Sequence, residues 1–203
     1  MIKTIFFDIG GVLLDIHPGK TFQYIGDCVD IEKSIIEKRF PWEAHNEYEK
    51  GHISNKEWYM AVKESLPQPC CLKESDFWRG WQLLLGKEKQ TLNILERLRS
   101  DFSVWLLSNT NPKHIQDEID NKYSFPNLVD GSIYSFEVGC RKPSHVIYEI
   151  ALKKANVGNP EESLFIDDLI ENIQAAKDLG INAIHFESIE KLKIEMNDIG
   201  INI

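Results

Sequence analysis

Short apolar runs alternate with amphipathic stretches over most of the chain. Residues 2–7 (IKTIFF) read as a buried strand, because the run is too short and too continuously apolar for a surface helix. After residue 87, apolar runs of strand length alternate with longer stretches in which apolar residues recur at helical spacing. The pattern predicts strands at 102–108, 131–136, 163–167 and 182–186, and helices at 87–100, 112–123, 144–157 and 170–180.

This alternation predicts an α/β fold. Strands that alternate with helices at such spacing form a Rossmann-like parallel sheet with helices on both faces. Residues 16–86 depart from the pattern, since they contain charged, aromatic-rich helical stretches and a break at LPQPCCLKES (66–75). We therefore expect a small helical cap domain at 16–86, inserted after the first strand. The α/β core would comprise residues 1–15 and 87–203.

Charge and cysteine content exclude several kinds of partner. The 203 residues carry a formal net charge of -9, which disfavours a nucleic-acid backbone or an anionic membrane as the main partner. No apolar run approaches the roughly 20 residues of a membrane span, and the start of the chain lacks the layout of a signal peptide. The four cysteines, Cys28, Cys70, Cys71 and Cys140, show no CxxC spacing. We therefore expect reduced thiols in a cytoplasmic protein that is a monomer or a weak homodimer.

Candidate catalytic residues lie where predicted strands end. Asp8 closes the first strand, and a buried carboxylate is costly unless it is ionised for a purpose or well paired. In chain order, the later strand ends and the turns that follow them carry Ser108, Asn109, Lys142, Asp167 and Asp168. Ligands of open parallel sheets bind outside the carboxyl ends of the strands, so we expect these side chains to share one site.

These side chains fit phosphoryl transfer through an aspartyl-phosphate. That reaction requires a carboxylate nucleophile, a Mg²⁺ ion that neutralises charge, and a lysine with backbone donors around the phosphoryl oxygens. Mg²⁺ prefers an octahedron of carboxylate, carbonyl and water oxygens. Asp8, the backbone carbonyl of Gly10 and Asp168 can each supply one ligand of that octahedron.

Four motifs resemble, in the same order, those of the haloacid dehalogenase-like hydrolase superfamily. They are FFDIGGVLLD (6–15), WLLSNTN (105–111), GCRKPSHVIYEIAL (139–152) and LFIDDLIENIQAAKDLG (164–180). Each motif alone is a weak signal, but the ordered set is specific and, with the insertion, covers nearly the whole chain. The insertion resembles the helical cap of the subgroup that includes phosphoglycolate phosphatase and β-phosphoglucomutase. More narrowly, YEKGHIS (48–54), GWQLLL (80–85) and the later motifs resemble small bacterial phosphatases that act on α-D-glucose 1-phosphate.

The resemblance implies a role for each residue at the strand ends. Asp8 would be the nucleophile and a Mg²⁺ ligand, and Lys142 would neutralise the phosphoryl group. The other implied roles are phosphoryl binding for Ser108 and the Asn109 amide, metal binding for Asp168 with Asp167 beside it, and support of the metal ligands for Asn172. The implied enzyme is a Mg²⁺-dependent phosphatase for a small phosphorylated metabolite such as a hexose 1-phosphate.

Gly10 departs from the family pattern. Most phosphatases of the family have an aspartate at this position, which protonates the leaving oxygen and then activates water. Such acid–base help is typically worth about 10²–10⁴-fold. An anomeric sugar hydroxyl leaves with less need of a proton, so a phosphatase remains the favoured interpretation. The alternatives are a catalytically weak protein that binds a phosphorylated ligand or a protein partner, and a metal-free 2-haloacid dehalogenase, which the adjacent acids Asp167 and Asp168 disfavour.

Several residues keep a purely structural alternative. Asp167 can cap the helix that follows it, and Asp15 is expected to cap a turn. His17 is one candidate for the missing proton donor. The aromatic residues of the cap can stack on a sugar ring or fill the core of the cap, and the core is favoured for any single tryptophan; they are Trp42, Trp58, Trp78 and Trp81, with His45 and Tyr48 nearby.

Overall fold

Five parallel strands form the central sheet of the protein, and five helices form a separate layer above it. The computed structural model describes all residues, 1–203. In chain order the strands and α-helices are β1 (Thr4–Phe7), β2 (Leu14–Ile16), α1 (Pro18–Val29), α2 (Lys33–Arg39), α3 (Trp42–Glu49), α4 (Asn55–Ser65), α5 (Glu74–Gln82), β3 (Leu85–Glu88), α6 (Thr91–Leu98), β4 (Ser103–Ser108), α7 (Asp120–Lys122), β5 (Gly131–Tyr134), α8 (Ser135–Val138), α9 (His145–Lys154), β6 (Ser163–Asp167), α10 (Ile170–Asp178), β7 (Asn182–His185) and α11 (Ile189–Asp198).

The strand order is β5-β4-β1-β6-β7, with every neighbouring pair parallel. Successive side chains of a strand point to opposite faces of the sheet. In β1, Ile5 and Phe7 accordingly join one buried cluster, while Phe6 joins the cluster on the other face. Both faces are covered, which is the usual state of a parallel sheet. The predicted α/β fold class is confirmed.

The strand order also determines where a ligand would bind. The chain runs from β1 outward through β4 to β5, and then returns to the other side of β1 to form β6 and β7. Strand order therefore reverses at β1. In open α/β sheets, ligands bind outside the carboxyl ends of the strands at such a switch point.

The helices α1–α5 build a second hydrophobic core from their own aromatic residues. Twelve buried residues between Phe22 and Trp81 form this cluster, and none belongs to the clusters of the sheet. Trp58 is fully buried among Phe40, Phe77 and Trp81 at ring separations of 5.2–6.2 Å. A capping box between Ser54 and Glu57 begins α4. The expected core role is thus met for Trp58 and Trp81.

A two-stranded antiparallel ribbon, β2 with β3, joins this helical layer to the sheet. The ribbon lies across both of the boundaries expected for the cap, between residues 15 and 16 and between 86 and 87. The helix expected at 87–100 is therefore wrong at its start, because residues 87 and 88 belong to β3, which pairs with β2, and α6 begins only at Thr91. The division of the chain at 16–86 stays a prediction.

Two other elements differ from the sequence-based expectation. The helix expected at 112–123 is a π-helical segment, Lys113–Ile119, that continues into α7. The strand expected at 131–136 ends at Tyr134, since Ser135 and Phe136 turn into α8. The four cysteines are free thiols. None of the helices combines the length and the apolar character that crossing a membrane requires.

Candidate active site

The residues predicted from the strand ends meet at the switch point of the sheet. Asp8 follows β1, Ser108 ends β4 and Asp167 ends β6, so their backbones leave three adjacent parallel strands in the same direction. Lys142 reaches the same point from the turn between α8 and α9. The sheet therefore brings together residues that lie more than 150 positions apart in the chain.

Lys142 is the centre of this cluster. Its ammonium nitrogen lies 2.9 Å from Asp8 Oδ1 and 2.6 Å from Asp167 Oδ2, and it donates a hydrogen bond of 2.9 Å to the Leu107 carbonyl. The side chain is fully buried. Burial alone would lower the pKa of Lys142, but the two carboxylates more than offset that effect and raise it. Lys142 is therefore held as a cation beside the proposed nucleophile.

Asn109 positions Lys142 through its side chain. The Asn109 Oδ1 atom accepts a hydrogen bond of 2.8 Å from the Lys142 backbone N–H, and Nδ2 donates one of 3.0 Å to the Lys142 carbonyl. This side-chain amide is thus fully engaged within the protein. The backbone N–H groups of Asn109 and Gly10 donate to no other protein group, so they remain as donors for a phosphoryl oxygen.

Three carboxylates crowd the site around a single ammonium. One oxygen each from Asp8, Asp167 and Asp168 lies within 4.8 Å of the others. Burial raises the pKa of Asp8 to about 7, and the negative charges of the other two carboxylates add to the rise against the opposing effect of Lys142. The pKa of Asp168 is also raised, by burial and by Asp167. This oxygen-rich, over-acidic set fits a hard divalent cation such as Mg²⁺.

The two adjacent acids have different surroundings. Asp167 Oδ1 accepts hydrogen bonds from the Leu169 backbone N–H at 2.8 Å and from Asn172 Nδ2 at 2.9 Å, while Oδ2 contacts Lys142. Asp168 is half-buried and lies against Gly11, where a Cβ would fall 2.1 Å from Asp168 Oδ2 and where φ is +75°. Gly11 thus makes room for the carboxylate that is freer to bind a metal. Asn172 donates to Asp167, and its expected support of the metal ligands stays a prediction.

A cavity of about 290 Å³ opens above the cluster, between the sheet and the helical layer. Gly10, Ser108 and Asn109 line its floor. The Ser108 hydroxyl is buried and has only a weak contact of 3.5 Å with the Asn109 carbonyl, so it remains available to a ligand. The helical layer contributes a mostly aromatic roof of Phe22, Phe40, Trp42, His45, Glu49 and Trp81.

Some residues singled out in the sequence do not line this cavity. Trp58 and Tyr48 are fully buried, and Trp78 packs against Phe77. His17 lies between β2 and α1, beside Gly86. Sequence reasoning missed Glu49, Thr21 and His114 as lining residues. A signal existed for Glu49, which lies within the quoted YEKGHIS motif, but none distinguished Thr21 or His114 from ordinary helix residues.

Comparisons with known proteins give relatives that cover about nine-tenths of the chain. The D-ribitol-5-phosphate phosphatase of Bacteroides thetaiotaomicron is 29% identical over 195 residues, which cover 93% of each chain. A sesquiterpene phosphatase of Aspergillus oryzae is 26% identical, over 90% of this chain and 89% of its own.

Solved structures are similar over the whole fold. A crystal structure of a haloacid dehalogenase family enzyme from B. thetaiotaomicron, in complex with magnesium and inorganic phosphate, superposes with a TM-score of 0.81 at 25% identity, covering 95% of this chain and 99% of that one. A 2-haloacid dehalogenase from Pseudomonas syringae pv. Tomato shares the fold alone, with a TM-score of 0.61 at 17% identity over 92% of this chain and 86% of its own. The sequence model of the haloacid dehalogenase-like hydrolases matches residues 2–180. The chain belongs to the haloacid dehalogenase-like hydrolase family.

Proposed function

We propose that the protein is a Mg²⁺-dependent phosphatase that hydrolyses a small phosphorylated metabolite through an aspartyl-phosphate on Asp8. The observation that carries the proposal is the buried Lys142 ammonium held between Asp8 and Asp167, with Asp168 beside them, next to the cavity whose floor contains Gly10, Ser108 and Asn109. A ligand-binding shell alone would gain nothing from three crowded carboxylates. A metal-free dehalogenase would bear their mutual repulsion without compensation.

Each step of the proposed reaction has a candidate residue in the site. Asp8 attacks phosphorus and carries the phosphoryl group, while Lys142, the Ser108 hydroxyl and the free N–H groups of Gly10 and Asn109 surround its oxygens. Water then releases phosphate from Asp8. Asp8, Asp168 and the Gly10 carbonyl, with Asp167 beside them, would hold Mg²⁺, which supplies charge neutralisation at the phosphoryl oxygens when bound.

Two features of the cavity support a sugar or sugar-alcohol phosphate as substrate. The ring of Trp42, which is largely exposed, offers an apolar face on which a sugar can stack. The buried Thr21 Oγ1 atom has no hydrogen-bond partner within the protein, so a substrate hydroxyl can satisfy it. A hexose 1-phosphate combines these requirements with a leaving group that needs little protonation. The ribitol phosphate cleaved by the Bacteroides relative belongs to the same chemical class of polyol phosphates.

A phosphate-release screen tests this function. Sugar 1-phosphates, sugar 6-phosphates, polyol phosphates and aryl phosphates are assayed with Mg²⁺ and with EDTA, using wild-type enzyme and Asp8→Asn. We expect Mg²⁺-dependent release that Asp8→Asn abolishes, because asparagine keeps the shape but loses the nucleophilic charge. The exposed Asp15, changed to Asn, is the matched control and should keep wild-type rates. Activity of Asp8→Asn within tenfold of wild type would exclude the aspartyl-phosphate route, and halide release from 2-chloropropionate in EDTA would favour the dehalogenase.

The cytoplasmic location and the monomeric or weakly dimeric state stay predictions. The free cysteines support the first.

A further inference from the structure

The proposed chemistry lacks a proton donor next to Asp8. An ester bond to an ordinary alcohol breaks efficiently only when the leaving oxygen receives a proton. Gly10 cannot supply one. For an ester whose alcohol leaves less readily than an anomeric hydroxyl, such as a polyol phosphate, the donor must therefore come from another titratable side chain that faces the cavity.

Three titratable side chains line the cavity above the site: His45, Glu49 and His114. His114 has no proton to give, because both ring nitrogens are engaged, Nε2 at 3.0 Å from the Trp81 carbonyl and Nδ1 at 3.0 Å from Asn111 Nδ2. Burial also lowers the pKa of His114 to about 4, and burial together with Arg141 lowers that of His45 to about 3. Both histidines are therefore neutral rings near neutral pH, and neither is an acid of suitable strength.

Glu49 has the properties that the histidines lack. It is the only carboxylate among the residues that line the cavity, and it is 8% exposed. Arg141 Nε forms an ion pair with Glu49 Oε2 at 3.0 Å, although the alignment of the two groups falls short of a hydrogen bond. The guanidinium favours the ionised carboxylate that general-base catalysis requires, whereas burial favours the protonated form that can donate a proton. Burial raises the pKa of Glu49 against the opposing effect of Arg141.

The end of α3 that carries Glu49 is held rigidly against the sheet domain. Gly51, at φ +71°, approaches the Phe136 carbonyl so closely that a Cβ would lie 2.3 Å from it. The neighbouring Tyr48 is fully buried, stacks on Trp58 and donates a hydrogen bond of 2.7 Å to Asn55 Oδ1. A general acid needs such a fixed position relative to the bond that it protonates.

We propose that Glu49, supplied by the helical layer, is the general acid–base that replaces the missing acid at Gly10. The proposal rests on the phosphatase function above. As Asp8 attacks phosphorus and the ester P–O bond breaks, the Glu49 carboxyl gives its proton to the leaving oxygen. The Glu49 carboxylate then takes a proton from the water that attacks the aspartyl-phosphate. Breaking the P–O bond to Asp8 releases phosphate and restores both side chains to their starting states.

Two aryl esters of nearly equal size separate this role from a structural one. Phenoxide needs a proton to leave, whereas 4-nitrophenoxide leaves without one. With Glu49→Gln we expect a rapid first turnover of 4-nitrophenyl phosphate followed by slow release of phosphate, since the water step still lacks its base. With phenyl phosphate the first turnover itself should slow by about 10²-fold or more.

Restoring an acid at residue 10 provides the second arm of the test. Gly10 has no positive φ, and a Cβ there would meet only the side chain of Ile16 at 3.5 Å, so an aspartate fits. The double variant Glu49→Gln with Gly10→Asp should therefore recover the first turnover of phenyl phosphate by at least tenfold. Glu43→Gln, an exposed acid on the same helix, is the matched control and should behave as wild type.

Three outcomes would overturn the role of Glu49: wild-type rates in Glu49→Gln, an equal slowing of both first turnovers, or no recovery in the double variant. If instead the wild-type protein released no phosphate from any ester, the phosphatase function itself would fail. A thermal melt of each variant identifies loss of folding, and a Glu49→Asp variant that keeps the charge tests the role if Glu49→Gln does not fold.

Discussion

Replacing Lys142 with methionine removes the one ammonium that lies between two buried carboxylates. Asp8 and Asp167 would then face each other, with Asp168 nearby and no counter-charge within contact distance. Methionine fills much of the space of the lysine chain, which packs near the ring of Phe165. The change therefore tests charge more than volume.

The expected loss of stability is large. Removing one partner of a buried ion pair costs about 3–5 kcal/mol, because an uncompensated buried charge remains. For a domain of this size, each kcal/mol lowers Tm by about 2–4 °C, so Tm should fall by ~6–20 °C.

The loss should also grow with pH. Burial already raises the pKa of Asp8 in the folded protein from 3.8 to about 7. Without Lys142 the pKa of Asp8 rises further, so the folded state binds more protons than the unfolded state. Stability is then retained below the unfolded pKa and is lost as pH rises through the folded one.

Urea unfolding in EDTA at pH 5 and pH 8 measures both effects. Lys153→Met, an exposed lysine on α9, is the control for the change of residue type. Adding Asp167→Asn to Lys142→Met should recover part of the lost stability, because one of the buried charges is removed. A loss below 1 kcal/mol at pH 8, or a larger loss at pH 5 than at pH 8, would refute this account of the cluster.

Two further predictions concern the residues around Asp8 and Lys142. Asp168→Ala should fold but should no longer recover phosphate release when Mg²⁺ is returned to a chelated sample; full activity of the chelated wild type would contradict the metal assignment. Asn109→Ala loses both hydrogen bonds to the Lys142 backbone, each worth about 0.5–1.5 kcal/mol. The variant should lower kcat far more than it raises KM, because Lys142 is no longer held in position. A change in KM alone would show that Asn109 acts on substrate binding and not on Lys142.

The sheet and its strand-end chemistry could be predicted from the sequence. The strands are short, continuously apolar runs, and β6 has the predicted bounds, Ser163–Asp167. Because parallel strands share one carboxyl edge, the polar residues after them had to converge, and the structure places Asp8, Asp167 and Lys142 in contact. The fold class and the family are confirmed, while the catalytic role of each residue stays a prediction.

Features that depend on distant contacts could not be predicted. The strand β3 is half exposed and has no alternating pattern, since it exists only through pairing with β2 some 70 residues earlier. The π-helical turns at Lys113–Ile119 have the apolar spacing of an ordinary helix. By contrast, α11 could have been predicted from the Ser188 cap and from the helical spacing of Leu192 and Met196, although no helix was predicted there.

The directions in which side chains point could not be predicted from the sequence either. The Asn109 amide was expected to hold the phosphoryl group, and only the structure shows that its side chain binds the Lys142 backbone, which leaves the backbone N–H for that proposed role. The sequence showed Glu49 only as part of the YEKGHIS motif and could not predict that it is buried. Its burial depends on the approach of α3 to Phe136 and Arg141. Such details follow from how the helical layer sits on the sheet.

The stereochemical course at phosphorus tests the central claim most directly. An ester made chiral at phosphorus with sulfur and oxygen isotopes is hydrolysed by the wild-type enzyme in isotopically labelled water, and the configuration of the released thiophosphate is determined. Transfer to Asp8 and then to water comprises two in-line displacements, each of which inverts phosphorus. The account therefore predicts net retention of configuration. Net inversion would show that water attacks the ester directly, and would contradict an aspartyl-phosphate on Asp8.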